Sequence, residues 1–171
     1  SPWYQWPIMA RPVWYHITYD AGGVPGAVCT ISSFGNPVLW WSSIPALLWA
    51  LWRGIVRRDR KAGFLLTGFL AAYLPWVLVP RLTFLYHYFT ALPFALLALL
   101  LVFDRLEESG RLTGALRVGP VSIALPRCLW GGVLVIAAVL FGVFFPVISG
   151  AVTTADYAHS LQWLPGWFFC G

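Results

Sequence analysis

The stretch that decides the fold is residues 62–103, AGFLLTGFLAAYLPWVLVPRLTFLYHYFTALPFALLALLLVF, in which Arg81 is the only Lys, Arg, Asp or Glu. A helix needs about 20 predominantly apolar residues to cross a bilayer. The stretch is therefore long enough for two crossings, one on each side of Arg81. We predict transmembrane helices over residues 62–80 and 82–103, joined by a tight turn at Pro80-Arg81.

Two further uncharged stretches, residues 37–52 and 129–149, lie on either side of this pair. The first is short, but tryptophans that would suit the membrane interface bracket it: Trp40, Trp41, Trp49 and Trp52. We therefore predict an all-α polytopic membrane protein with about four transmembrane helices over residues 36–149. An aromatic-rich segment, residues 1–35, is expected at the outer membrane interface, with a short in-plane helix as one form. Residues 150–171 are expected to form an outer tail.

The overall composition supports a membrane environment. Hydrophobic residues make up 60% of the chain and charged residues 10%, against roughly 25% charged residues in soluble domains. So few charges do not cover a surface that faces water, and the expected partners are membrane lipids. A soluble domain with a very apolar core is the less favoured alternative.

The positions of the basic residues predict the orientation. Nine of the eleven Lys and Arg residues fall in two segments, residues 53–61 and 104–127. Loops rich in Lys and Arg stay in the cytoplasm, so both segments are predicted to be cytoplasmic and both termini extracytoplasmic. The nine are Arg53, Arg57, Arg58, Arg60, Lys61, Arg105, Arg111, Arg117 and Arg127. Their placement explains the net charge of +5 without a nucleic-acid partner.

One polar stripe in the apolar sequence is a candidate site. Thr83, Tyr86, His87 and Thr90 have the spacing of one α-helical face, and polar groups in a membrane helix turn towards protein or a water-filled cavity. Arg81 precedes the stripe, and a guanidinium at the start of a helix suits a phosphate. The alternative is that Arg81 reaches for lipid headgroups and that His87 bonds a neighbouring helix.

The N-terminal segment holds a second set of candidates: Arg11, Tyr15, His16 and Asp20. Aromatic rings beside a cation could bind a sugar or a lipid phosphate, or could form an interfacial belt. Asp20 and Asp156 are the only predicted outer carboxylates, so no complete acid–base set is visible. The three cysteines lack metal-ligand spacing, and no metal is predicted. A disulfide between Cys29 and Cys170, both predicted to lie outside, is left open.

Three blocks of this sequence, taken together, resemble a known family. They are Trp3-Tyr4-Gln5-Trp6-Pro7-Ile8-Met9-Ala10-Arg11-Pro12-Val13-Trp14-Tyr15, then Gly35-Asn36-Pro37-Val38-Leu39-Trp40-Trp41, then Tyr73-Leu74-Pro75-Trp76 through Pro80-Arg81-Leu82-Thr83-Phe84-Leu85-Tyr86-His87-Tyr88-Phe89. In order and spacing they resemble the C-terminal four-helix region of protein O-mannosyltransferases and their bacterial relatives. The absence of motifs for inserted soluble sugar-binding repeats favours a bacterial-type member in the plasma membrane.

The resemblance implies the C-terminal half of a GT-C glycosyltransferase. Such an enzyme moves mannose from polyprenyl-phosphate-mannose to Ser or Thr hydroxyls of an acceptor protein, with inversion at the anomeric carbon. This lipid-linked donor is the one cosubstrate that the resemblance implies, and whether a divalent metal assists is left open at the level of sequence. The catalytic base is expected in the N-terminal half, so this chain alone should be inactive. Since the chain opens on Ser1-Pro2 rather than Met, we expect it to be a piece of a longer protein.

Site roles follow from the same resemblance. The family block Pro-Arg-x-Thr-Phe-x-Tyr-His-Tyr matches residues 80–88, and Trp-Pro-x-Met-x-Arg-Pro matches residues 6–12. The residues expected to bind the donor lipid phosphate are Arg81, His87, Tyr86 and Arg11. Those expected to form the wall of the site are Trp6, Tyr15, His16, Thr83 and Asn36.

Three other functions stay open at the level of sequence. The first is a GT-C enzyme with another lipid-linked sugar or a lipid acceptor. The second is a non-catalytic membrane scaffold that keeps the outer groove. A transporter is the least favoured, because no inverted repeat or pair of Gly/Pro-broken helices stands out.

Overall fold

The computed structural model describes residues 1–110, 112, 114–118 and 121–170 of the chain. Arg111, one of the predicted cytoplasmic basic residues, and Gly171 of the predicted tail lie outside the described residues. Four long helices form the body of the molecule: α1 (Pro37–Val56), α2 (Arg60–Tyr73), α3 (Leu92–Ser109) and α4 (Leu125–Ser149). Helix α1 packs against the other three, and α2 also packs against α3.

The helices begin and end where the local sequence favours it. Pro37 occupies the first turn of α1, where its missing N–H costs nothing. Asp59 caps α2, accepting hydrogen bonds from the N–H groups of Lys61 (3.0 Å) and Ala62 (3.3 Å). Helix α2 ends at Tyr73, and a 3₁₀ segment, Leu74–Leu78, continues it past Pro75. Helix α1 is therefore longer than predicted by one turn, and α2 is shorter.

The predicted helix over residues 82–103 is wrong in its first half. Residues 81–84 form no helix, Leu85–Thr90 is a 3₁₀ segment, and α3 begins only at Leu92. Pro93 in the first turn of α3 marks this start, and the aromatic, His and Thr side chains before it are weak helix formers. Thr83, Tyr86, His87 and Thr90 consequently do not line one face of an α-helix.

The fold is mostly helical, as predicted, but it is not all-α, because the N-terminal segment contains a sheet. Strands β1 (Val13–Tyr19) and β2 (Ala27–Ser33) form an antiparallel hairpin, rich in the β-branched and aromatic residues that favour strands. Its connection contains Asp20 and three glycines at positive φ, the conformation that glycine adopts without strain. A second hairpin joins β3 (Ala115–Val118) to β4 (Val121–Ala124).

The C-terminal segment adds the third strand of the sheet. Strand β5 (Val152–Thr154) pairs with β2 antiparallel, Cys29 lying opposite Val152, and a short helix α5 (Ala155–Ser160) follows it. The indole Nε1 of Trp167 donates to the Met9 carbonyl at 2.6 Å. The N-terminal and C-terminal segments thus pack together at one end of the helix bundle.

The two ends of the bundle have different cores. Beneath the sheet the core is aromatic, and its fully buried members include Trp6, Trp40, Tyr88, Phe144, Trp167 and Phe169. Towards the other end it is built largely of small side chains: Ala46, Ala50, Ala62 and Ala98. Small residues let membrane helices approach closely.

Asp59 links the helices at that second end. Its Oδ2 lies 3.1 Å from both Arg53 of α1 and Arg105 of α3, and 7% of its side chain is exposed. Burial opposes ionisation of this carboxyl. The hydrogen bond from Ala62 and the guanidinium groups of Arg53 and Arg105 outweigh burial and hold the pKa of Asp59 below its usual range.

Two helical stretches among the described residues are long and apolar enough to cross a membrane, judged by length and composition alone. They are Arg60–Leu78 and Leu125–Ser149.

Candidate functional site

His87 lies at the centre of an aromatic cluster on the sheet side of the bundle. Its ring stacks on Trp6 with centroids 5.8 Å apart and on Tyr86 at 4.5 Å, while Trp76 meets it at 4.1 Å with a 60° angle between the planes. The 3₁₀ segment Leu85–Thr90 carries His87 and Tyr86, and the 3₁₀ segment Leu74–Leu78 carries Trp76. The cluster therefore joins both 3₁₀ segments to the N-terminal segment.

The imidazole of His87 is anchored on one nitrogen only. Nδ1 lies 3.1 Å from the Phe84 amide nitrogen and 2.9 Å from the Phe84 carbonyl oxygen. When Nδ1 accepts from that N–H, the proton of the neutral ring is on Nε2; when Nδ1 instead donates to the carbonyl, Nε2 of the neutral ring is an acceptor. Among the described residues Nε2 has no hydrogen-bond partner, and His87 is half-buried. In the tautomer with the proton on Nε2, the fixed ring is suited to donate to an anion.

Trp6 and Thr83 belong to the framework under this histidine. The Trp6 side chain is fully buried, and the Trp6 carbonyl accepts from Trp40 Nε1 at 2.8 Å. Thr83 is buried too, and its hydroxyl donates to the Ser1 carbonyl at 3.3 Å. Both residues hold the N-terminal segment against the bundle. Trp6 also presents a ring face to His87, as expected of a wall residue.

Tyr15 reaches the cluster because β1 is irregular. The register of the β1–β2 pair shifts between Trp14 and His16, which makes Tyr15 the extra residue of a bulge. Its exposed ring lies 6.5 Å from the ring of Tyr86, which is also exposed. The next residue, His16, bonds through Nε2 to the Thr18 hydroxyl at 2.8 Å. His16 has no described contact with His87.

Arg11 and Arg81, the two basic residues predicted for the site, are exposed to solvent. In the sequence, each lies within about six residues of a member of the aromatic cluster. Arg81 lies in the bend between the two 3₁₀ segments and has no described hydrogen bond or ion pair. Arg11 lines a cavity of about 410 Å³ together with Trp14, Phe84 and Phe168. Phe84 stacks on Tyr86 at 5.5 Å, so this cavity borders the aromatic cluster. Arg11 and Arg81 are both free to meet an anion.

Asn36, another predicted wall residue, is placed elsewhere. Its side-chain Nδ2 donates to the Ala137 carbonyl at 2.7 Å, which ties the start of α1 to α4. It lines small cavities with residues such as Phe34 and Trp40. The structure shows no contact between Asn36 and the His87 cluster.

The structure adds two aromatic neighbours that sequence reasoning did not assign. Trp76 contacts His87 edge-on, and Phe84 supplies the backbone atoms that fix the imidazole. Both lie inside the blocks quoted for the family resemblance, and a Trp directly after Leu74-Pro75 was the available signal. Their contacts with His87 depend on the two 3₁₀ segments, and the prediction of continuous helices over residues 62–80 and 82–103 did not include these segments.

Asp20, Cys29 and Cys170, which were predicted to lie outside, have structural contacts in the described part of the chain. Asp20 accepts from the Gly26 N–H at 2.9 Å, inside the hairpin connection. Cys29 and Cys170 are free thiols whose sulfurs lie near the carbonyls of Gly150 and Ala155, and burial raises the pKa of the Cys170 thiol. No group of three His, Cys, Asp or Glu suited to a metal occurs among the described residues.

Comparison with protein families identifies the chain. Residues 1–167 match the model of the C-terminal four-transmembrane region of protein O-mannosyltransferase. The chain belongs to this family. Its membership covers the aromatic cluster, the sheet and all four long helices.

Known proteins similar to this four-transmembrane region carry consistent names. A polyprenol-phosphate-mannose–protein mannosyltransferase of Corynebacterium glutamicum is 31% identical over 170 residues, covering 98% of this chain and 31% of that protein. A protein of the same name from Mycobacterium tuberculosis is 30% identical and is covered to the same extent. The chain thus spans about a third of the length of these relatives.

A solved structure has the same fold. In the S. cerevisiae protein O-mannosyltransferase Pmt1–Pmt2 complex bound to the sugar donor, a matching region superposes with a TM-score of 0.65 at 22% identity. The match covers 98% of this chain and 23% of that chain.

Proposed function

We propose that this chain is the C-terminal membrane part of an enzyme that moves mannose from polyprenyl-phosphate-mannose to Ser or Thr hydroxyls of a protein. Its family and the names of its bacterial relatives support this activity. The chain corresponds to 31% of those relatives, so the N-terminal half of the same enzyme is its first partner. That half supplies the catalytic base, and this chain alone is inactive.

The free Nε2 of His87 is the observation that carries the assignment of the donor site. In the transfer, the acceptor hydroxyl oxygen attacks the anomeric carbon, the bond from that carbon to the phosphate oxygen breaks, and polyprenyl phosphate leaves with the added negative charge. Hydrogen-bond donors that are held in place before the reaction stabilise this negative charge without having to reorganise. The stacked ring of His87 meets this requirement, with Trp6 behind it and Tyr86 beside it.

Arg81 and Arg11 complete the proposed phosphate site. Guanidinium groups bind phosphate oxygens through paired hydrogen bonds, and both side chains are exposed in the described structure. Tyr15 extends the wall of the site beyond Tyr86. The proposal does not rest on His16 or Asn36, which have no described contact with the His87 cluster.

The proposed topology is four crossings of the plasma membrane with both termini outside and residues 53–61 and 104–127 in the cytoplasm. The separation of the two ends of the bundle supports it. Residues 1–35 and 150–170 pack together on one side, through β2–β5 and through Trp167. At the other side Asp59 binds Arg105, and Arg127 binds Glu107.

The test is a His87→Phe substitution in the full-length parent enzyme, because Phe keeps the ring stack on Trp6 and removes Nε2, together with the exposed contacts of Nδ1 with Phe84. We expect kcat/KM for transfer from polyprenyl-phosphate-mannose to a Ser/Thr peptide to fall about 100-fold, as when one preorganised donor is lost. The thermal midpoint should stay within about 2 °C of the parent value, since the packing is kept.

A control and two contrary outcomes make this test specific. Tyr4→Phe changes an exposed aromatic residue that contacts Trp3 edge-on and not His87, and it should leave transfer unchanged. Full activity of His87→Phe would remove His87 from the donor site. Absence of transfer by the intact parent would favour another donor, a lipid acceptor or a scaffold.

A further inference from the structure

A second cavity lies at the opposite end of the bundle from His87, between α1 and α3. Its volume is about 480 Å³, and the residues that matter for its chemistry are Trp49, Trp52, Arg53, Arg57, Arg105 and Glu108. Nothing in the proposed transfer reaction uses this place. Its lining combines guanidinium groups with indole rings.

Two of the guanidinium groups are only partly satisfied. Arg53 binds Asp59 through one terminal nitrogen, and Arg105 binds Asp59 and Glu108 through its two terminal nitrogens. The Nε atoms of both arginines are buried and have no hydrogen-bond partner among the described residues. A buried donor without an acceptor is unfavourable. Acceptor oxygens of a ligand beside these guanidinium groups would offset this cost.

Arg57 gives the cavity an uncompensated positive charge. Its guanidinium lies over the Trp52 ring at 5.4 Å, as that of Arg53 lies over Trp49 at 5.5 Å. Arg57 has no ion pair in the described part of the chain. Asp59 and Glu108 pair with Arg53 and Arg105, and Asp104 also acts on Arg105. The charge open to an anion is therefore that of Arg57.

The surroundings favour an anion with apolar chains attached. Leu48, Leu51 and Ile55 of α1 are exposed beside the cavity residues of the same helix. Trp49 and Trp52 are of the residue type that collects at the level of lipid headgroups. A free phosphate would contact only the polar part of this surface, whereas a phospholipid would cover both parts.

We infer that the cavity between α1 and α3 binds the phosphate of an anionic phospholipid, whose chains lie along the apolar surface of α1. The phosphate oxygens accept from the exposed guanidinium of Arg57 and lie against those of Arg53 and Arg105, which also line the cavity. The indole rings of Trp49 and Trp52 hold the guanidinium groups in place. The bound lipid bridges α1 and α3 at the end where Asp59 already joins them.

The experiment measures lipid selectivity of the full-length parent reconstituted in phosphatidylcholine vesicles. Chain-labelled phosphatidylglycerol and phosphatidylcholine are added separately, and electron spin resonance gives the fraction of each that the protein immobilises. We expect the parent to prefer phosphatidylglycerol. Arg57→Gln, which leaves the Asp59 ion pairs intact, should weaken that preference about fivefold, the effect of one Arg beside an anionic headgroup.

Two further variants make the result specific to the cavity. Arg58→Gln removes the same charge from the neighbouring exposed residue outside the cavity lining and should leave the preference unchanged. Glu108→Gln releases a terminal nitrogen of Arg105 and should strengthen the preference. Equal losses from Arg57→Gln and Arg58→Gln, or no preference in the parent, would overturn the inference.

A competition experiment distinguishes a phospholipid from free phosphate as the occupant of the cavity. Inorganic phosphate is added in excess, with chloride at equal ionic strength as the control, and displacement of the labelled phosphatidylglycerol is measured. Failure to displace the labelled phosphatidylglycerol supports a lipid site that also uses the chains. Full displacement would show a site for free phosphate and overturn the lipid assignment.

Discussion

His87 shows how a single residue acquires a chemical role from its neighbours. Its stack on Trp6 and the contacts of Nδ1 with Phe84 fix the ring, while Nε2 stays free. The family resemblance selected this histidine from sequence, and the structure gives a physical reason for the choice. The predicted helical stripe was a wrong reason, since Thr83 is buried against Ser1 and not aligned with His87 on an α-helix.

Asp59 permits a prediction on stability at the same scale. Asp59→Asn keeps a residue that caps helices well and removes the charge that pairs with Arg53 and Arg105. We expect a loss of about 1.5–3 kcal/mol in the free energy of unfolding at pH 7, the range for hydrogen bonds to charged groups. Denaturant titration of parent and variant in detergent measures it.

The sign of the pH dependence follows from the lowered pKa of Asp59. Its ionised form contributes fully above the unfolded pKa, about 3.9, and the contribution is lost as the pH falls through the lower folded pKa. The difference between parent and Asp59→Asn should therefore be constant from pH 7 to about pH 5 and shrink below about pH 4. A difference that grows on acidification would contradict the pairing.

At the scale of elements, the junction between β2 and α1 is a tight contact. A methyl group added to Gly35 would overlap the ring of Trp40, which is fully buried. We expect Gly35→Ala to destabilise the protein by about 1–3 kcal/mol through overpacking. Gly142→Ala in α4 is the matched control, because an added methyl there meets nothing within 4 Å. Equal thermal midpoints for both variants would argue against this packing.

The elements also show how far sequence reasoning reaches. Helices α1 and α4 were predicted because uncharged stretches mark them in the sequence, and tryptophans bracket the shorter stretch, that of α1. The hairpin β1–β2 was missed, although Val13–Tyr19 and Ala27–Ser33 carry strand-favouring side chains, because apolar aromatic sequence was assigned to the membrane interface. The pairing of Cys29 with Val152 joins residues too far apart for any local pattern to indicate.

For the whole molecule, the predicted orientation has a direct test. In the full-length parent without its own cysteines, single cysteines are introduced at Tyr4 and at Arg58, both exposed. An impermeant maleimide applied to intact cells should label the Tyr4→Cys protein and leave Arg58→Cys unlabelled until the membrane is opened. The reverse pattern would invert the topology, and labelling of both from outside would contradict the membrane crossings between them.

The distribution of charge is enough to predict an orientation, whereas the site needed the three-dimensional structure. The number of basic residues at the α1–α2 connection is enough to predict that this connection lies on the cytoplasmic side. The approach of residues 1–15 to residues 76–87 depends instead on packing, for example of Trp6 against Trp76 and His87. Sequence spacing gives no sign of such a contact.

The most direct test of the central claim is transfer by the full-length parent carrying Arg81→Ala. The rate of mannosyl transfer from polyprenyl-phosphate-mannose to a Ser/Thr peptide is measured at varied donor concentration, with Arg58→Ala as a control on the opposite side. We predict normal expression, a donor kcat/KM lowered about 10-fold or more through loss of a phosphate contact, and an unchanged control. A rate and donor KM equal to those of the parent would show that Arg81 only contacts headgroups and would contradict the proposed donor site.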